Sequence, residues 1–310
     1  MTYKIKTMCN LRKAHMKQVL FFMITLWLSA GCLRENRSGC SDGLLVKFHY
    51  ITSDGLSRNS GSPLTDLSVF IFNENGLFTC VKKDSVTPIN DHYTMLLPLY
   101  EGQYQFVAWA GLSDSYTLSA CHPNQTHIEN FILQLKRDTG NKIPISPSLL
   151  YQGWHETVTL HPYETTEITI GLQRITNSIQ VIVHYATPEI SPAISIEDNN
   201  GTYNYRGEII SDQLLYYSPH SSYSPDAANT WTAHFNVMRL QDDSDARLKI
   251  YSSANELQYN ENLITGLLGA HPDINFNTDH DFIIEISLDS YYIPVSIRIN
   301  GWEIIPEDIN

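Results

Sequence analysis

The chain has little cysteine, with five residues in 310. One of them precedes Cys32, and the three that follow it are Cys40, Cys80 and Cys121. So few thiols exclude a framework of several disulfides. One disulfide and one free thiol account for the three later cysteines, and we name Cys40 and Cys121 as candidates with the pairing left open.

Acidic residues are absent before Glu35, whereas five basic residues occur before Cys32. An uncharged run from Val19 leads to the small residues Ser29-Ala30-Gly31 and then Cys32. At about a dozen residues this run is shorter than the ~20 that a membrane-spanning helix needs. A basic start, a short apolar stretch and small residues at its end are typical of an export signal.

Small residues directly before a cysteine are typical of a bacterial lipoprotein. We therefore predict that residues 1–31 are a signal peptide, that Cys32 carries lipid, and that residues 32–43 form a polar tether. The usual lipoprotein signal has leucine where Ser29 stands. A plain secreted protein and an uncut anchor are the alternatives, and Met1 and Met16 are both candidate start sites.

Positive charge is also scarce after the signal. Removing residues 1–31 removes five basic and no acidic residues, so the formal net charge changes from -13 to -18. Nucleic-acid phosphates repel such a chain, which argues against a DNA or RNA partner.

Helical periodicity is nearly missing, and alternating apolar residues recur instead. The strand candidates begin with Leu44 to Tyr50 and end with Ile293 to Ile299, and the segment from Leu149 to Trp154 reads as a turn or short helix. Only residues 262–268 have the spacing of a helix. Many short strands separated by turn residues predict an all-β chain of two β-sandwiches, with domains at 44–164 and 165–310.

Catalytic motifs are missing as well, which predicts that the chain is not an enzyme and needs no cofactor. The acidic run Asp242-Asp243-Ser244-Asp245 lacks the glycine and distal glutamate of a calcium loop, so we interpret it as a hairpin tip. Asp279-His280-Asp281 contains metal-ligand residue types but directly precedes a strand, so we predict no metal site there. Trp109, Trp231 and Trp302 lie within or beside strand patterns and are expected in the core.

The order of several segments resembles that of the FimB-type fimbrial anchor subunits of Bacteroidales, which are outer-membrane lipoproteins. The similar segments are Cys32 with Cys40, Val46 to Tyr50, Leu67 to Gly76, Leu97 to Gly111, Asn236 to Leu240, Asn262 to Leu268, and Ile299 to Trp302. They are spread over nearly the whole chain after the signal. The turn before Gly102 departs from the family pattern, because Leu99-Tyr100-Glu101 are inserted there.

The resemblance implies two transthyretin-like β-sandwich domains with one short helix in the second, no enzymatic activity, and a fimbrial shaft protein as partner. It also implies attachment to the outer membrane through acylated Cys32, with the subunit holding the shaft by β-strand complementation. Because few residues follow Trp302, we expect the subunit to offer no C-terminal donor strand and so to limit fimbrial length. The alternative is a surface lipoprotein that binds glycans for nutrient uptake.

Overall fold

The computed structural model describes residues 43–52, 66–85, 93–187, 192–224 and 229–304. These residues form an almost entirely β protein, as the sequence predicts. The strands are β1 Gly43–Tyr50, β2 Leu67–Asn73, β3 Phe78–Asp84, β4 Thr94–Leu97, β5 Gly102–Ala110, β6 Tyr116–Leu118, β7 Leu133–Leu135, β8 Tyr151–Leu160, β9 Thr165–Arg174, β10 Thr176–Tyr185, β11 Ala193–Asp198, β12 Thr202–Tyr203, β13 Leu215–Tyr217, β14 Ser222–Tyr223, β15 Thr230–Met238, β16 Arg247–Tyr251, β17 Leu257–Asn262, β18 Asp281–Leu288, β19 Pro294–Ile299 and β20 Trp302–Ile304. Helix α1, Leu263–Ala270, follows β17 directly.

The first half is built on a seven-stranded sheet in the order β3-β2-β5-β8-β9-β1-β4. Strands β8 and β9 pair at only two positions, Tyr151 with Arg174 and Gln152 with Gln173. The two sections of the sheet can therefore turn toward each other, and their facing side chains form one apolar core that includes Leu44, Phe106 and Ile170. Alternate residues of β1 are buried in this core, as their period-2 pattern predicts.

The second half is a sandwich of two sheets. Its six-stranded sheet has the order β14-β15-β10-β18-β19-β20, and its four-stranded sheet has the order β13-β11-β16-β17. Their inner faces share a core to which β10 contributes Ile179, Val181 and Val183. The same core extends to Trp109 of β5 and to the small sheet β12-β7-β6. The two halves therefore share one continuous apolar core.

The junction between the halves is a single buried residue, Ile175, between β9 and β10. Its amide donates to the Leu150 carbonyl at 2.9 Å, and its carbonyl accepts from the Arg239 amide at 2.9 Å. Strand β9 thus belongs to the first sheet, and sheet membership changes at Ile175. The division into two transthyretin-like domains at residues 164 and 165 stays a prediction.

Helix α1 confirms the helical prediction for residues 262–268. Asn262 is its N-cap, and its side-chain oxygen accepts a 2.7 Å hydrogen bond from the Thr265 amide. Leu263, Ile264 and Leu267 are the buried face of the helix, which lies against β16, β17, β19 and β20.

Two local predictions are wrong. The segment Leu149 to Trp154 leads into strand β8, and Gly153 does not mark a turn. A Cβ at Gly153 would lie 2.5 Å from Cγ2 of Ile170 and 2.6 Å from the Gly171 carbonyl, so the glycine permits close backbone approach inside the sheet. Trp302 is 60% exposed, because it lies on the short outermost strand β20 and contacts His271 at its side.

None of the helices in the described part of the chain is both long enough and apolar enough to span a membrane.

Candidate binding edge of the second sandwich

Strand β15 is covered unevenly by its neighbours. Along one side it pairs with β10 over nine residues, from Thr230 to Met238. Along the other side the two-residue strand β14 pairs only with Trp231 and Thr232. From residue 233 onward, this second side faces no strand among the described residues.

The direction of the backbone groups follows from the neighbouring hydrogen bonds. The Tyr185 amide of β10 donates to the Asn229 carbonyl at 3.0 Å, whereas the Ser224 amide donates to the Thr230 carbonyl at 2.9 Å. Because the groups of successive residues in a strand point to opposite sides, Thr230 and the even-numbered residues after it point away from β10. The N–H and C=O groups of His234 and Asn236 therefore point toward the uncovered side, where the described residues offer them no partner.

A small cleft of about 180 Å³, open to solvent, lies next to these groups. The cleft walls combine apolar and polar side chains and come from the loop after β7, from the chain that leaves β13, and from β15. The apolar ones include Ile143, Pro144, Pro147, Tyr217, Pro219 and Phe235, and the polar ones are Ser146, Ser218, His220, His234 and Asn236.

The far wall of the cleft is held by main-chain hydrogen bonds. The Ile143 amide donates to the Tyr216 carbonyl, and the Tyr216 amide donates to the Asn141 carbonyl, both at 3.0 Å. Residues 141–143 thereby extend the edge of β13. Proline residues in the wall fix the backbone further, because their φ angle is locked. The cleft is consequently formed before any partner arrives.

The opposite end of the six-stranded sheet is formed by a hairpin that ends in β20. Asn300 and Gly301 have φ angles of 49° and 85°, which are suited to a tight hairpin turn, and they return the chain as β20. Strand β20 pairs with β19 through Ile299 with Trp302 and Ile297 with Ile304. The last described strand thus completes the sheet of its own chain.

The residues predicted for lipid attachment and for a disulfide are only partly described. Cys32 and Cys40 lie outside the described residues, so the acylation of Cys32 and any pairing of Cys40 stay predictions. Cys80 is an exposed free thiol on β3, and Cys121 is a half-buried free thiol after β6. Burial raises the pKa of both thiols, which lowers their reactivity.

The two acidic motifs have structural roles. Asp242 and Asp243 form a turn, and the Ser244 hydroxyl donates to Asp198 at 2.6 Å. Asp281 begins β18 and pairs with Arg174 at 3.1 Å. Within the described ranges, no three histidine, cysteine, aspartate or glutamate residues are grouped so as to hold a metal ion.

His280 lies inside the junction between the halves. Its carbonyl accepts from the Ser178 amide at 2.7 Å, and the neighbouring Asp279 carbonyl accepts from the Asn177 side chain at 3.2 Å. Burial, aided by the nearby Arg174 charge, lowers the pKa of His280 to about 4. At neutral pH this imidazole is therefore uncharged and belongs to the packing of the junction.

Sequence reasoning predicted β15 as a strand but missed its exposed edge. The alternation from residue 232 to residue 238 indicates a strand, whereas the lack of a neighbour depends on how β14 pairs. Strand β11 was also missed, although Ile194 and Ile196 alternate with polar residues and are both buried.

The fold defines a class of β proteins from Bacteroides and Porphyromonas, and three solved structures share it. A Bacteroides thetaiotaomicron VPI-5482 protein, whose name proposes polysaccharide binding, is 23% identical with a TM-score of 0.76, covering 86% of this chain and 99% of that one. The fimbrial anchor protein Mfa2 from Porphyromonas gingivalis is 22% identical with a TM-score of 0.72, covering 84% and 98%. A protein from Bacteroides ovatus named as a proposed adhesin is 19% identical with a TM-score of 0.71, covering 84% and 94%.

The family follows from the sequence itself. The family model for the fimbrillin-A associated anchor proteins Mfa1 and Mfa2 matches residues 37–308. The chain belongs to this family of fimbrial anchor proteins, which confirms the resemblance found in the sequence. It is a family of structural proteins of the cell-surface fimbrium and not a family of enzymes. No curated protein sequence matches the chain.

One prediction concerns Asp198, a buried carboxyl group beneath the acidic turn. One of its oxygens accepts from the Asn199 amide and the Ser244 hydroxyl, while the other, Oδ2, has no hydrogen-bond partner among the described residues. Burial raises its pKa from 3.8 to about 6. The folded chain thus keeps this proton to higher pH than the unfolded chain. As a result, the group lowers the free energy of unfolding as the pH rises from about 4 to about 6, by at most about 3 kcal/mol.

Asp198→Asn removes this titration and keeps an oxygen acceptor. We expect the variant to be more stable than the parent at pH 7.5 and similar to it at pH 4, as measured by urea unfolding across that range. Asp243→Asn, at an exposed position of the same turn, is the control and should change neither end of the curve. Parallel curves for the parent and Asp198→Asn would contradict the assignment.

Proposed function

We propose that the protein is a lipid-anchored fimbrial anchor subunit that holds the fimbrial shaft at the outer membrane by accepting a β-strand from a shaft subunit. The observation that carries the proposal is the uncovered edge of β15 beside a preformed cleft. His234 and Asn236 present N–H and C=O groups that no described residue pairs with. Membership in the family of anchor proteins supplies the kind of partner.

An extended polypeptide is the ligand that such an edge fits. Free N–H and C=O groups on alternate residues match the spacing of another strand, so main-chain hydrogen bonds supply the affinity. Side chains of the added strand opposite Phe235 would point inward, next to Pro144 and Tyr217. We therefore infer that the donor strand carries apolar residues at every second position along this stretch.

The geometry of β20 supports a role in limiting fimbrial length. This strand returns through Asn300 and Gly301 and pairs with β19 of its own sheet. A strand that is already paired within its own chain is not available to complete the sheet of a further subunit. The chain would accept a strand at β15 without donating β20, which stops growth at this end of the fimbrium.

Attachment to the outer membrane rests on the sequence before the fold. The signal-like segment ends at Cys32, and the first strand begins at Gly43. A diacylated cysteine supplies the two-chain anchorage that stable membrane binding requires. The polar residues between Cys32 and β1 would serve as the tether.

His234→Pro tests strand addition. Proline removes the N–H group that points toward the open side, and because that group makes no bond to β10, the sheet itself loses no hydrogen bond. We expect capture of the purified shaft subunit to weaken by about tenfold or more. His234→Ala changes the same side chain but keeps the N–H group, so it is the matched control and should bind like the parent.

Equal binding by the two variants would show that the edge of β15 is not the contact. Electron microscopy of cells that carry each variant adds a second readout. His234→Pro cells should release fimbriae into the medium or make longer ones, whereas His234→Ala cells should not. Retention of a glycan by the parent chain, without capture of shaft subunit, would favour the glycan-binding alternative.

Cys32→Ala tests the anchor separately from the edge. Without an acylation site, the protein should move from the outer-membrane fraction to the soluble fraction, while its binding to shaft subunit in solution stays unchanged. Fractionation followed by immunoblotting measures the first result. A Cys32→Ala protein that remains in the membrane fraction would refute lipid attachment at this residue.

A further inference from the structure

Strand β1 is paired in a geometry that can resist a pull on its N-terminal end. Strand β1 pairs in parallel with β9 over eight residues, from Gly43 with Thr165 to Tyr50 with Leu172. On its other side β1 pairs with β4 over four residues. The tether precedes Gly43, so any pull from that side reaches β1 at its N-terminal end.

The parallel partner continues directly into the second half. Strand β9 ends at Arg174, and β10 begins at Thr176. Strand β10 is paired on both sides, with β15 over nine residues and in parallel with β18 over eight. A load on β9 therefore passes through one residue, Ile175, into the most extensively paired strand of the six-stranded sheet.

We propose that β1 and β9 form a mechanical clamp that carries tension from the N-terminal tether into the second sandwich. The inference rests on the proposed anchor function, because a shaft held at β15 and a lipid at the N-terminus would load the chain between these points. A pull on the start of β1 and on the end of β9 slides the two parallel strands along each other. All their hydrogen bonds are then loaded together.

The same pair would resist far less if it were peeled. Pulling both strands from the same end loads the hydrogen bonds one after another, and each breaks singly. Parallel bonds are evenly spaced, so a sliding load is shared along the full register. Forced rupture is governed by the unfolding barrier, which depends on how many bonds must break at once.

Packing adds to the resistance of the clamp. Leu44, Val46, Phe48 and Tyr50 alternate along β1 and are all buried in the first core. Sliding β1 along β9 would have to pull these four side chains out of their positions together. The exposed ion pair between Lys47 and Glu167, at 2.6 Å, joins the two strands on the outer face but adds little.

The junction that follows β9 is buried and hydrogen-bonded, so it should transmit the load without unfolding first. Ile175 is fully buried and is bonded through both its amide and its carbonyl. Arg174 pairs with Asp281, and the Asn177 side chain accepts from the Leu240 amide at 2.8 Å. These contacts tie the end of β9 and the start of β10 to β18 and to the chain after β15. Tension thus meets a packed joint and not a flexible linker.

Single-molecule pulling of the complete chain tests the proposal. One handle is fused ahead of residue 33, and the other is attached through an introduced cysteine in a background that carries Cys40→Ser, Cys80→Ser and Cys121→Ser. Tyr291→Cys lies at an exposed tip beyond β18 and loads the clamp by sliding. Tyr163→Cys lies at an exposed turn just before β9 and loads the same strand pair by peeling.

We expect the mean force of the first rupture to be about twofold or more higher in the sliding geometry. Equal forces in the two geometries would overturn the clamp. The two attachment positions are exposed, so this comparison needs no substitution in the buried core. Because no shaft subunit is present, failure here leaves the anchor proposal untouched, and failure of the binding test at His234 leaves the measured clamp untouched.

A pair of variants at Lys47 locates the load within the strand. The Ile51 amide donates to the Leu172 carbonyl, so odd-numbered residues of β1 point toward β9. Lys47→Pro removes one N–H group of the clamp, whereas Lys47→Ala removes only the ion pair. Lys47→Pro should lower the sliding force relative to Lys47→Ala, and equal sliding forces for the two would place the resistance elsewhere.

Discussion

The parallel pairing of a leading strand with a later one organises both halves of this protein. Strand β1 lies between β9 and β4, and β10 lies between β18 and β15. Parallel neighbours need a long connection between them, and the intervening chain builds the second layer over each sheet. Because β9 ends where β10 begins, Ile175 joins the two arrangements and brings their apolar cores into contact.

Sheet edges are the second constraint, since an uncovered strand is a template for unwanted pairing. Several edges here are protected by ordinary means. Strand β3 exposes Lys82 and Lys83, and β4, β13, β14 and β20 are only two to four residues long. Strand β15 is different, because it is nine residues long and its open stretch carries neither lysine nor proline. An unprotected edge beside a cleft with both apolar and polar walls is the arrangement expected where pairing with another chain is favoured.

Much of the fold could be predicted because its signals are local. Alternation along β1 and the apolar spacing of residues 262–268 depend on neighbours in sequence, and each gave the right element. Gly153 was misread because its reason is the close approach of β9, which is distant in sequence. Trp302 was misread because strand propensity does not say whether a strand is central or outermost.

The open edge of β15 could not be predicted from the sequence, for the same physical reason. His234 and Asn236 read as ordinary outward residues of a strand, and their N–H groups become available only because β14 covers just two positions of β15. The family resemblance is the basis for the proposed partner, and the pairing of the sheets locates the open edge at which we propose that it binds. The predicted acylation of Cys32 is the opposite case, since the prediction depends on a short local pattern and not on the fold.

Amide hydrogen exchange at His234 and Asn236 tests the central claim most directly, because it reports on the proposed hydrogen bonds themselves. Free protein should exchange these two amides quickly, while those of Ala233 and Phe235, which point toward β10, exchange slowly. Adding the shaft subunit should slow exchange at His234 and Asn236 and leave their neighbours unchanged. Capture of the shaft subunit with no added protection at these two amides would contradict strand addition at β15.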